Sequence, residues 1–189
     1  MTDTTQQIAR RAFQQNKARQ AAFLASLGVD VTGMAYARKL SLFCGDGAPL
    51  AQLFAQLQPA ATPTLCLVPP GVADATDTRG GLTIHVLPAL DDADYERLLW
   101  CCDFNFIRTD PARAEAAGRP YLWQAPDAAQ AAAQVERYVA GLPAHAADML
   151  RAASATWNND GERHAALAAC LAGPANRALM LHAIERAAQ

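Results

Sequence analysis

Five short runs along the chain are almost wholly apolar, and each is too short for a helix: Lys39 to Cys44 (KLSLFC), Thr64 to Val68 (TLCLV), Leu82 to Leu87 (LTIHVL), Asp103 to Ile107 (DFNFI) and Tyr121 to Gln124 (YLWQ). Each reads as a buried strand. The intervening segments have helical character. Residues 5 to 27 place Ile8, Ala12, Phe23, Leu24 and Leu27 as apolar positions before Gly28, a natural stop. Pro49 to about Gln58 reads as a helix after the turn Gly45-Asp46-Gly47. Asp91, Asp92 and Asp94 open a helix carrying Tyr95, Leu98, Leu99 and Trp100, where acidic residues complement the helix dipole. Thr109 and Asp110 before Pro111 form a capped start for a short helix that ends near Gly118. Ala128 to Ala140, Ala144 to Trp157, Gly161 to Leu171 and Pro174 to about Ala188 complete the helices. Ala73 to Gly81 reads as a polar loop.

Unbroken apolar strands alternating with helices predict a parallel sheet covered on both faces, an α/β Rossmann-like arrangement with a helical C-terminal tail. The domain division expected is an N-terminal helix and connector over 1–37, the α/β domain over 38–143, and helices packed on it over 144–189. In such sheets ligands sit beyond the carboxyl ends of the strands. Three ends then become candidates: Phe43 to Gly47, Pro88 to Tyr95 and Arg108 to Arg113.

Composition narrows the function. The chain has 189 residues, 52% hydrophobic, with a formal net charge of -2 and no long run of like charge. That balance argues against nucleic acid or a membrane surface as partner. The N-terminus lacks the apolar core of a signal peptide, and no apolar run approaches a membrane span. The five cysteines, Cys44, Cys66, Cys101, Cys102 and Cys170, are odd in number and contain no CxxC pair. They read as reduced core residues, which implies the cytoplasm.

The four histidines, His85, His145, His164 and His182, are scattered without ligand spacing, so no metal site is expected. There is no GxGxxG, no P-loop and no G-x-S-x-G elbow. The best local signal is Arg108, directly after a strand and beside a helix start, with Asp110 two residues on. That combination suits an anion such as phosphate. The residues alone fit a solvated arginine or a structural ion pair equally well. Phe43 and Tyr95 offer flat faces for a base, but aromatics at a strand end or in a first helical turn more often belong to the core.

Longer stretches carry more information. SLFCGDGAPLAQLF, ADYERLLWCCDFNFIRTD, RAEAAGRPYLW, VERYVAGLPAHAADML and the later Trp157-Asn158 resemble the second half of the bacterial elongation factor P arginine rhamnosyltransferases. The likeness runs from about Phe23 to about Asn159. It implies one half of a two-domain GT-B glycosyltransferase, the half that binds the nucleotide sugar. The implied reaction is transfer of rhamnose from dTDP-rhamnose to an arginine of elongation factor P, with inversion and without a cofactor.

Matched to that family, Phe43 falls near the base and Tyr95 on an aromatic that packs on the thymine. Arg108 and Asp110 fall in the motif that holds diphosphate and sugar, which makes Asp110 the catalytic candidate within this chain. Gly45 stands where the family usually has a tyrosine, Asp92 lies near a family glutamine, and the Arg108–Arg113 segment is shorter. The family's first domain, which recognises the acceptor and carries the activating aspartate, has no counterpart in these residues. A separate polypeptide supplying that half is therefore expected as a partner. The alternative is a non-catalytic nucleotide-binding module or degenerate copy.

Overall fold

The computed structural model describes residues 2–32, 38–43, 64–71, 77–79 and 82–159. The expected helix at Pro49 to Gln58, the turn at Gly45, the cysteines Cys44 and Cys170, and the two last helices lie outside the described residues. The chain divides into two compact units, Met1–Tyr36 and Ala37–Gln189. The first holds helix α1, Thr2–Ser26. Its end is closed by the carbonyl of Leu24, which accepts from the amides of Leu27 and Val29, with Gly28 at φ +81° between them. That left-handed conformation favours glycine and stops the helix.

The second unit contains strands β1 (Arg38–Phe43), β2 (Thr64–Val68), β3 (Asp77–Arg79), β4 (Leu82–Val86), β5 (Phe104–Ile107) and β6 (Tyr121–Trp123). Helix α2 (Asp92–Cys101) leads into β5, α3 (Pro111–Ala117) joins β5 to β6, and α4 (Ala128–Val139) and α5 (Ala144–Trp157) follow. The sheet order is β3-β4-β2-β1-β5-β6. All pairings are parallel except β3 with β4. The α/β fold expected from the sequence is therefore present. The reading of Ala73 to Gly81 as loop is corrected in part: Asp77–Arg79 pairs antiparallel with β4 as an edge strand.

The two faces of the sheet follow the alternation of its side chains. On one face Leu40, Leu42, Phe104, Phe106 and Leu122 pack under α4 and α5, with Val135, Leu150 and Trp157 as their main covers. The Phe106 and Trp157 rings lie 4.7 Å apart. On the other face Ile107 and Tyr121 meet Tyr95 and Leu99 of α2 and Ala114 of α3. Here the sheet also buries a polar pair. Ser41 Oγ donates to Asn105 Oδ1 at 2.6 Å, and Asn105 Nδ2 donates to the Leu99 carbonyl at 3.0 Å. This joins β1, β5 and the last turn of α2 with every polar atom used.

The order of the strands fixes where a ligand can enter. From β1 the chain moves outward through β2 to β4, then returns to place β5 on the other side of β1. The crossovers on either side of β1 thus lead away from each other. A crevice opens at such a reversal, outside the carboxyl ends of the two central strands. In this sheet those ends are Phe43 and Ile107, which are register partners.

Candidate functional site

The rim beyond Phe43 and Ile107 collects the residues that the sequence singled out. Phe43 ends β1 and is half-buried. Tyr95, in the first turn of α2, sets its ring 5.0 Å from that of Phe43 at 53°, a tilted aromatic pair. Arg108, Thr109 and Asp110 follow β5 directly and are all exposed. Among the described residues the Arg108 side chain has neither an ion pair nor a hydrogen bond. The guanidinium is thus at the open edge of the sheet, available to an anion.

Asp110 is used differently. Its Oδ1 accepts from the amide of Ala112 at 2.9 Å and its carbonyl from that of Arg113 at 3.2 Å, so it caps α3. The amides that were expected to share an anion with Arg108 are already served by this acid. Asp92 also has a partner, Arg113 Nη1 at 2.9 Å, which ties the first turns of α2 and α3 together. The Arg113 guanidinium holds the Asp92 carboxyl below its usual range by hydrogen bonding and charge. Both groups are solvent-reached, so the pair adds little to stability.

Thr109 was not singled out by the sequence beyond its place in a cap. Its Oγ1 lies 3.1 Å from the hydroxyl of Tyr95, bridging the loop after β5 to α2. Only the fold brings these positions together. At the end of β6, beside this loop, the Gln124 amide donates to the Ile107 carbonyl at 2.7 Å. Trp123 Nε1 and Gln124 Oε1 are buried there with no hydrogen-bond partner among the described residues. Nothing in the sequence marked these two atoms.

Behind the rim the scaffold is fixed by Tyr121. Its hydroxyl donates to Glu115 Oε1 at 2.6 Å and accepts from Gln134 Nε2, linking α3 to α4 across β6. Burial, then the Glu115 carboxylate, push its ionisation upward, so it stays neutral. The Tyr121 and Tyr138 rings lie 4.6 Å apart.

The other chemical candidates stand apart. Cys66, Cys101 and Cys102 are buried, and Cys101 and Cys102 are in the thiol form. Burial raises the Cys101 thiol to about 11 and lifts Cys102 as well, which keeps both protonated and unreactive. No group of metal ligands occurs among the described residues. No helix among them is long and apolar enough to cross a membrane. Two open grooves of about 590 Å³ lie elsewhere, one between α4 and α5 around Val135 and Ala155, the other between α2 and α3 beside Trp100.

Comparison with known proteins bears on the family and the fold. The family described as Elongation-Factor P (EF-P) rhamnosyltransferase EarP matches residues 1–188. A protein-arginine rhamnosyltransferase of Pseudomonas aeruginosa is 39% identical over 175 residues, covering 80% of this chain and 46% of that relative. One from Pseudomonas putida is 38% identical over 135 residues, covering 61% of this chain and 35% of the relative. The chain thus spans about half the length of the curated relatives it matches. A solved structure described as the structural basis for EarP-mediated arginine glycosylation of translation elongation factor EF-P is also similar. It superposes with a TM-score of 0.72 at 31% identity, covering 96% of this chain and 65% of that one.

Proposed function

We propose that this chain, which belongs to the EarP family of elongation factor P rhamnosyltransferases, is the donor-binding half of such an enzyme, with dTDP-rhamnose as donor substrate. One observation carries the reading: an exposed arginine without a protein partner among the described residues stands at the strand-order reversal, directly after Ile107, the register partner of Phe43. The family membership does not favour the alternative of a non-catalytic module.

In this proposal the Arg108 guanidinium binds the diphosphate. Its planar fork suits two phosphate oxygens at once, and its charge is permanent. When the bond from the anomeric carbon to the diphosphate breaks, negative charge builds on the leaving oxygens. A fixed cation there stabilises the transition state more than the ground state. Phe43 provides the apolar contact to the thymine. Asp110 shapes the loop that presents Arg108, and its carboxylate serves the cap of α3. The base that activates the acceptor arginine would come from a partner polypeptide or a further domain, with elongation factor P as the acceptor. The setting proposed is the cytoplasm, in keeping with the buried thiols of Cys101 and Cys102.

Titration calorimetry with dTDP tests this reading. Saturable binding is expected. Arg108→Ala is expected to weaken it about tenfold or more, the effect of losing a charge-assisted hydrogen bond. Its melting temperature should match that of the parent chain, because the side chain is exposed. Equal affinity for both proteins would contradict the proposal.

A further inference from the structure

Tyr95 is only 7% exposed. Its ring is enclosed by Phe43, Leu99, Ile107 and Ala114, which leaves no broad face for a nucleotide base. Its hydroxyl reaches Thr109 Oγ1 at 3.1 Å, fourteen residues further along the chain. Thr109 lies between Arg108 and Asp110. The loop is therefore held on both sides of Arg108: by the Gln124 amide on the Ile107 carbonyl at 2.7 Å, and by the Tyr95 hydroxyl on Thr109. Among the described residues, nothing holds the guanidinium arm itself. Phe43, half-buried, keeps the exposed aromatic surface of the pair.

We propose that Tyr95 is a positioning residue whose hydroxyl, through Thr109, sets the Arg108 loop for the diphosphate, while Phe43 alone offers a face to the base. This rests on the donor-site reading above and assigns its two aromatics different work. A long arginine side chain retains many rotamers. Fixing its backbone on both flanks reduces the ordering entropy paid when it binds. Removing the tether acts on phosphate binding and leaves the base contact alone.

The test compares dTDP with thymidine, which has the base and sugar without phosphate. Both are titrated by NMR into the parent chain, Tyr95→Phe, Thr109→Val and the double variant. Tyr95→Phe keeps the packed ring and loses only the hydroxyl. Each single variant is expected to weaken dTDP about threefold to tenfold, with thymidine unchanged. The double variant should be no weaker than the stronger single one, because both remove the same hydrogen bond. Equal losses for dTDP and thymidine in Tyr95→Phe would overturn the inference and return the tyrosine to base contact. Unchanged dTDP affinity in both single variants would also overturn it. Should the parent chain bind no dTDP, the donor-site reading falls and this inference with it; binding by the parent that ignores the tether sinks the inference alone.

Discussion

At the scale of single residues, the site depends on which charged groups are already occupied. Arg108, Asp92 and Arg113 are all strand-end or first-turn charges; position after a strand singled out Arg108, but position alone does not say which side chains are already paired. Geometry ranks them by partner. Arg113 and Asp92 hold each other at 2.9 Å, Asp110 holds the amide of Ala112, and Arg108 holds nothing among the described residues. The Arg-then-Asp spacing was legible as a candidate. That its acid would turn inward onto the helix was not, because an N-cap and an active-site carboxylate share residue type and position. Two substitutions separate these roles. Asp110→Ala removes the cap and should cost about 1 kcal/mol, read as a lower urea midpoint. Asp110→Asn keeps a good cap without the charge, and should retain both the midpoint and the dTDP affinity. A large loss of dTDP binding in the asparagine variant would assign the carboxylate a direct role at the ligand.

At the scale of elements, patterning was most informative where strands are buried on both sides. TLCLV is buried at all five positions of β2 and FNFI at all four of β5. Such continuous apolar runs are recognisable without knowing their neighbours. The three-residue strand β3, Asp77–Arg79, has no apolar alternation and pairs only at the sheet edge. Its signal is the pairing itself, including Thr78 and Thr83 hydroxyls 3.3 Å apart, and a partner cannot be read from one segment. Asn105 is a second example. Within a strand of phenylalanines it looks out of place, yet it joins Ser41 to the last turn of α2. Asn105→Ala should leave the Ser41 hydroxyl and the Leu99 carbonyl buried without that partner, costing about 1–3 kcal/mol. Chemical denaturation checks this. A change within experimental error would mean that the two groups find other partners.

At the scale of the whole molecule, the candidate rim is located by topology more than by any local motif. There is no glycine fingerprint, and the site is located by the reversal of strand order about β1. The parallel class of the sheet was legible from strand and helix alternation. The spatial order was not, because it depends on which strand each crossover reaches, and that order brings Phe43 beside Ile107. Residues 43, 95 and 109, distant in sequence, meet through it. In the proposed function this rim receives the nucleotide diphosphate. Backbone-resolved NMR of the chain titrated with dTDP tests it most directly. Saturable shifts concentrated at Phe43, Tyr95 and Ile107 to Ala112, lost in Arg108→Ala, are expected. Shifts centred on the groove between α4 and α5, or no shifts from a folded chain, would contradict it.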